Sequence, residues 1–226
     1  KRSASGSTLG YDHGSYGMSG GVTLAVAENT VVGAAIGWAK GDIDLGSNGG
    51  GGDQSSVLAS LYARYNADGF RLSAGALYGN VDQSTLRNVS FNGFSASVGG
   101  DTKSDLYGGY LGLAVPLGST GGWQIDGNVR GSFIHQSQDA YVESGGSPLR
   151  LAVAKQSVDT VEGQAGLSAR KTIGKVDLRF DLGARYLAAQ GDRTIPVTFA
   201  ASNAIISLQG DERDNLHGYA DLGIGY

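Results

Sequence analysis

The sequence has no cysteine, only three prolines and no long apolar run. Without cysteine there are no disulfides, thiolate metal sites or thiol nucleophiles. Since no stretch of about 18 consecutive apolar residues occurs, the sequence predicts no transmembrane helix. No basic region precedes an apolar segment at the N-terminus, so we expect any export signal to have been removed. The net charge of −4, without a basic block, gives no indication of nucleic-acid binding.

Glycine, by contrast, is abundant, at 39 of 226 residues. The glycines are interleaved with apolar residues and follow no G-X-Y period, which excludes collagen and argues against a disordered linker. Each interior glycine costs a helix about 1 kcal/mol relative to alanine, so helix-rich folds are disfavoured. We therefore predict an all-β protein, with residues 1–226 forming one domain.

Most of the chain alternates between apolar and small or polar residues with a period of two, which is typical of two-faced β-strands. Nine such segments follow one another, and residues 1–9 would add part of a tenth strand. The polar face carries charges of both signs at mid-strand. Its predicted members are Arg64, Arg71, Asp126, Arg130, Glu162, Arg170, Lys175, Asp177, Arg179, Asp181, Arg185 and Asp221.

The connections between these segments alternate in length. We predict short turns at residues 27–30, 66–69, 118–122 and 173–174. We predict long loops at residues 41–54, 82–104, 136–159 and 189–215. Short turns at one rim and long loops at the other are typical of a membrane-spanning β-barrel.

The composition of the two faces separates such a barrel from a soluble β-sandwich. No predicted interior face has the bulky apolar content that a soluble core of this size needs. Aromatic residues, among them Tyr65, Phe70, Trp123 and Tyr226, lie near the predicted short-turn rim, where an interfacial girdle would lie. We therefore predict an antiparallel transmembrane β-barrel. The charges of the polar face (Lys175 aside) would face its lumen, and small residues would leave the lumen open.

Several segments, in order, resemble the β-domain of autotransporters, the type V secretion barrel of Gram-negative bacteria. Residues 82–94 resemble the family stretch in which Thr-Arg precedes an aromatic-Gly-aromatic element, and residues 141–151 resemble its aromatic-x-Glu-x-Gly-Gly segment. Residues 166–170, 183–186 with Gly191 and Asp192, and 196–199 resemble the strands and loop that follow. Residues 217–226 resemble the tenth strand.

This resemblance implies a translocator domain in the bacterial outer membrane that anchors an N-terminal passenger and enables its export. Family barrels have twelve strands and a helix through the pore, whereas about ten strands are visible here. We therefore expect a partial domain without the final hairpin and the pore helix. The implied partners are outer-membrane lipid and lipopolysaccharide, the chain's own passenger and the barrel-assembly machinery. We expect a monomer that binds no nucleic acid.

Two other functions stay open at this stage. A stand-alone porin or adhesin would bind ligands through its long loops, and an outer-membrane protease would need acidic and histidine residues at its outer rim. The three histidines have no metal-pair spacing, and no G-x-S-x-G elbow occurs. Asp42 and Asp44 alternate as in a calcium loop, but no glutamate completes the ligand set. We predict no enzyme activity, no metal and no cofactor.

Overall fold

A computed structural model describes residues 12–46, 49–190, 194–200, 205–209 and 215–225. These residues form two antiparallel β-sheets. Within this part of the chain, no helix has the length and hydropathy needed to cross a bilayer.

The main sheet contains nine strands, in which neighbours in sequence are neighbours in space except where the second sheet intervenes. The strands are β1 (Asp12–Ala27), β2 (Thr30–Asp44), β3 (Gly50–Ala67), β4 (Phe70–Phe91), β5 (Phe94–Thr120), β6 (Trp123–Gln138), β9 (Gln156–Ile173), β10 (Val176–Gln190) and β13 (Leu216–Gly225). Their order in the sheet is β1-β2-β3-β4-β5-β6-β9-β10-β13. The nine strands expected from the alternation are thus present. The tenth, at residues 1–9, lies outside the described residues, as do Gly191, Asp192 and Tyr226.

The short turns lie where the sequence predicts them, with tips at residues 28–29, 68–69, 121–122 and 174–175. Lys175 therefore belongs to a turn, and its expected place on the polar face is wrong. We call this rim of the sheet the short-turn end and the opposite rim the loop end.

The predicted loop at residues 82–104 is wrong, because these residues extend β4 and β5 into one long hairpin. The strands pair without interruption from Arg71↔Ala114 to Phe91↔Phe94. Asn92 (φ 45°) and Gly93 (φ 79°) form the tip. Positive φ at both central residues matches a type I′ turn, for which Asn-Gly is the preferred sequence. The loop at residues 41–54 is also shorter than predicted, since β2 continues to Asp44 and β3 begins at Gly50.

The second sheet is built from the two remaining long connections. It comprises β7 (Tyr141–Val142), β8 (Leu151–Val153), β11 (Thr194–Phe199) and β12 (Ile205–Gln209). Its order is β12-β11-β8-β7. The predicted loops at residues 136–159 and 189–215 therefore contain strands that pair with each other at the loop end.

The two faces of the main sheet differ in chemistry. Large apolar side chains on one face are exposed, including Met18 (76%), Leu61 (66%) and Leu222 (74%). Only Val81, Val98, Val153 and Val197 are buried apolar residues in the described part of the chain. A protein in water would not leave so large an apolar surface uncovered. The apolar face therefore requires a non-aqueous surrounding.

Candidate functional site

The polar face of the main sheet places its charges in rows, because antiparallel register aligns residues of neighbouring strands. Arg64, Arg130 and Arg185 share one row, through Ser73, Gly112 and Gln164. Asp126, Asp181 and Asp221 share another row through Ser168, nearer the short-turn end. Arg170 and Arg179 pair in the next row, and Asp177 follows. Rows of opposite sign thus alternate along the strands.

Close ion pairs connect these rows. Arg71 Nη1 lies 3.6 Å from Asp126 Oδ2. Arg179 donates to both carboxylate oxygens of Asp181, at 2.5 and 3.0 Å.

Two other polar-face carboxylates also have partners within the face. Arg185 Nε lies 3.3 Å from Glu162 Oε1, and Asp177 Oδ1 accepts a hydrogen bond from Thr172 at 2.7 Å. Paired charges of this kind form a hydrophilic surface without a strong excess of either sign.

Seven of the eleven residues expected to face the lumen line a single depression of about 290 Å³. They are Arg64, Arg71, Arg130, Arg170, Arg179, Asp181 and Asp221. Asp126 adjoins it through its ion pair with Arg71, whereas Glu162 and Arg185 pair with each other and do not line it. Asp177 lies apart, two residues from the short turn.

Tyrosines on the polar face lie over glycines of neighbouring strands. The Tyr62 ring covers Gly33, and its hydroxyl contacts Thr23 Oγ1. Tyr110 covers Gly75, and the guanidinium of Arg130 stacks on its ring, 3.8 Å from the centroid. A Cβ at these glycines would collide with the rings, so the glycines allow the aromatic residues to lie flat on the sheet.

A second polar cluster, at the loop end, joins residues 82–94 to residues 141–151, two of the segments that resemble family motifs. Arg87 Nε and Nη2 donate to Glu143 Oε1 and Oε2, at 3.1 and 2.6 Å. Arg87 also donates to the Leu149 carbonyl at 2.9 Å, and the Leu151 amide donates to Glu143 at 2.7 Å. The Glu143 side chain is 7% exposed. We call this group the Arg87–Glu143 clamp.

Both segments of the clamp resemble family motifs, but the sequence alone assigns Arg87 and Glu143 no role. The signal was a charged residue of opposite sign in each motif, with 55 residues between them. Beside the clamp, the Tyr141 ring lies on Gly100. Burial raises the pKa of the Tyr141 phenol above its ordinary value, although a hydrogen bond with Thr85 opposes this shift.

The described residues contain no group of three or more His, Asp or Glu side chains placed to hold a metal ion. His135 Nδ1 lies 2.6 Å from Asp159 Oδ1, and His13 Nδ1 lies 2.8 Å from the Asp42 carbonyl oxygen. Asp44 Oδ1 accepts a hydrogen bond from the Gly46 amide at 2.8 Å.

Comparison with known proteins identifies the family. The family model described as "Autotransporter beta-domain" matches residues 1–226. The chain is 33% identical over 172 residues to the Salmonella typhimurium protein "Uncharacterized protein YaiT", covering 73% of this chain and 16% of that protein. The chain therefore spans only a small part of that relative.

The fold is similar to that of a solved structure, the translocator domain of autotransporter NalP from Neisseria meningitidis. The TM-score is 0.66 at 17% identity, over 96% of this chain and 82% of that one. At this identity, the likeness establishes the fold alone, a β-barrel wall of antiparallel strands. Because the family model matches the whole chain, this protein belongs to the autotransporter β-domain family and is a domain of the bacterial outer membrane.

Proposed function

We propose that the chain anchors an N-terminal passenger in the outer membrane and enables its export through a lumen lined by the polar face. The observation that carries the proposal is the sorting of charge between the two faces of each strand. On β9, Glu162, Gln164, Ser168 and Arg170 alternate with Val161, Ala165, Leu167 and Ala169.

The apolar face has the height of a bilayer. On β9 its uncharged stretch is bounded by Asp159 and Lys171. The twelve residue-to-residue steps from Asp159 to Lys171, at about 3.3 Å each, give about 40 Å along the strand, or about 30 Å across a membrane at a tilt of about 40°. This equals the thickness of a hydrocarbon core, about 30 Å.

Residues suited to the membrane interface bracket this stretch. At the loop end, Tyr107 stacks on His135, with ring centroids 4.7 Å apart. At the short-turn end, Lys171 lies 5.9 Å from the Trp123 ring centroid and donates to the Gly121 carbonyl. Aromatic residues and lysines prefer the headgroup region, where their apolar parts and polar tips are both satisfied.

The polar face suits an extended chain in transit. Its alternating rows of arginine and carboxylate keep a passing polypeptide hydrated and give it little apolar surface to adhere to. No covalent chemistry is part of this function, and the absence of enzyme activity and of a cofactor stays a prediction. The proposal includes assembly by the barrel-assembly machinery, contact with lipopolysaccharide, a monomeric state, no binding of nucleic acid, and residues 1–226 as part of one barrel domain.

Site-specific photo-crosslinking during export tests the proposal. Gln164 and Ala165 are neighbours on β9 that point to opposite faces. We expect a photoreactive residue at 164, in the full-length protein, to crosslink to a passenger stalled in transit. The same residue at 165 should crosslink to lipid instead.

Crosslinks to the passenger from both positions, or from position 165 alone, would contradict the assignment of the faces. A full-length protein with no passenger, whose loops bind a ligand, would favour the stand-alone porin or adhesin.

A further inference from the structure

The connection between β6 and β9 crosses the polar face of the β4–β5 hairpin. Thr102 Oγ1 donates to the Asp139 carbonyl at 2.9 Å, and the Tyr141 ring lies on Gly100. Arg87 donates two hydrogen bonds to the Glu143 carboxylate. The face of β4 and β5 that carries the charged rows nearer the short-turn end also carries Thr102, Gly100 and Arg87. Residues 139–153 therefore turn toward the side of the sheet where the lumen would lie.

The second sheet begins within the same connection, because β7 and β8 both lie between β6 and β9 in the chain. Just after its strand β7, Ser144 forms an isolated antiparallel bridge with Gly99 of β5. Strands β11 and β12 belong to the connection from β10 to β13. In the main sheet, β5 and β10 are separated by β6 and β9. The second sheet thus joins the connection that lies beside β5 to the connection between β10 and β13. Its four strands are about 15 Å wide.

Where residues 139–153 meet the β4–β5 hairpin, the side chains are buried more deeply than in most of the described chain. Val98, Ser147 and Glu143 are all buried there. The Arg87–Glu143 clamp ties both ends of the crossing segment, because Glu143 accepts the Leu151 amide and Arg87 donates to the Leu149 carbonyl. Loss of the Glu143 charge would break the bidentate pair and leave the Arg87 guanidinium without its anionic partner.

We propose that residues 139–153, held by the Arg87–Glu143 clamp, form a lid that closes the loop end of the lumen. This inference rests on the proposed function, since it requires the polar face to line a lumen. A bidentate arginine–carboxylate pair suits the task because its two parallel hydrogen bonds fix orientation as well as distance. The lid restricts the passage of small polar solutes when no passenger is in transit.

Outer-membrane permeability in cells that produce the full-length protein tests the lid. The readout is hydrolysis of a chromogenic cephalosporin by a periplasmic β-lactamase, and heat-modifiable gel migration reports whether the barrel is folded. We expect Glu143→Gln to raise hydrolysis several-fold with the barrel intact. The matched control is Lys103→Gln, which breaks an exposed ion pair with Asp82 on the opposite face of the same hairpin. This control should leave hydrolysis at the wild-type rate.

A reversible lock provides the second arm, since the chain has no cysteine of its own. Gly99 and Ser144 exchange both backbone hydrogen bonds, at 3.1 and 2.6 Å. Such a pair has Cα atoms about 5.5 Å apart, a distance a disulfide spans. In the Glu143→Gln background, the oxidised G99C/S144C disulfide should return hydrolysis to the wild-type rate. Reduction of the disulfide should raise hydrolysis again.

Two results would overturn the lid. One is wild-type hydrolysis in folded Glu143→Gln when protease cleavage shows that residues 139–153 have been released. The other is raised hydrolysis that the oxidised lock does not reverse. Surface labelling of the passenger in the same cells reports the proposed function separately, so its failure is distinguishable from failure of the lid.

Discussion

Replacing Gly75 with alanine should destabilise the barrel through one tyrosine ring. A Cβ at Gly75 would lie 3.0 Å from Tyr110 Cζ, closer still to Cε1, and 3.2 Å from the Leu61 carbonyl oxygen. The carbonyl belongs to the strand backbone and cannot move far, so the ring must give way. Movement of the ring separates it from the Arg130 guanidinium, which lies 3.8 Å from its centroid.

The expected cost follows from these two effects. Overpacking costs about 1–3 kcal/mol where neighbours cannot relax. Loss of an exposed cation–π contact adds about 0.5–1 kcal/mol. Because the ring can swing into open space on the polar side, we expect a total near the lower part of this range, about 2 kcal/mol. With a urea slope of about 2 kcal/mol per M, the unfolding midpoint should fall by about 1 M.

Urea unfolding of the purified protein in detergent micelles measures this shift. Gly131→Ala is the matched control, since a Cβ there meets nothing within 4 Å. Its midpoint should stay the same or rise slightly, because alanine restricts the unfolded chain. In a Tyr110→Leu background, Gly75→Ala should lose most of its cost. Equal midpoints for the two alanine variants, or an undiminished cost without the tyrosine, would refute the reasoning.

Three further predictions concern other parts of the sheet. Arg71→Ala should lower the free energy of unfolding in urea by about 1 kcal/mol more than Arg64→Ala does, because the Asp126 side chain that loses its partner is only 10% exposed; equal effects would contradict this. Burial raises the pKa of Tyr141, so its packing stabilises residues 139–153 fully below the ordinary tyrosine pKa of about 10 and less as pH rises above it. Protease cleavage of that segment should therefore increase above this pH, and Tyr141→Phe should abolish the increase. Asn92→Ala should weaken the hairpin tip, where φ is 45°, by about 1 kcal/mol, whereas Asn92→Gly should not; hydrogen exchange of residues 88–97 separates the two.

The strands and their faces could be predicted because the alternation is a local property. A residue and its neighbour point to opposite sides of a strand whatever the strand pairs with, so Gln164 and Ala165 were assigned from the sequence alone. The short turns were predictable for the same reason, since Asp68-Gly69 is a two-residue signal. The Asn92-Gly93 turn carries an equally strong signal. It was missed because the polar residues on either side of it were interpreted as a loop.

The partners of the charged residues could not be predicted, because they depend on register between strands. A shift of one residue in the pairing of β4 with β5 or of β5 with β6 would move Arg71 away from Asp126 without changing either strand's own pattern. The same holds for Arg87 and Glu143, which come from a strand and a connection far apart in the chain.

For this protein, then, the sequence by itself determined the class of fold, the two-faced strands and the separation of charge from apolar surface. Each of these follows from steric and solvation preferences of residues one or two positions apart. Only the tertiary structure decided that residues 82–104 form a hairpin, that charges of opposite sign stack in alternating rows, and that two distant motifs meet in the Arg87–Glu143 clamp. These depend on register and chain reversal, which bring together groups that no local pattern connects.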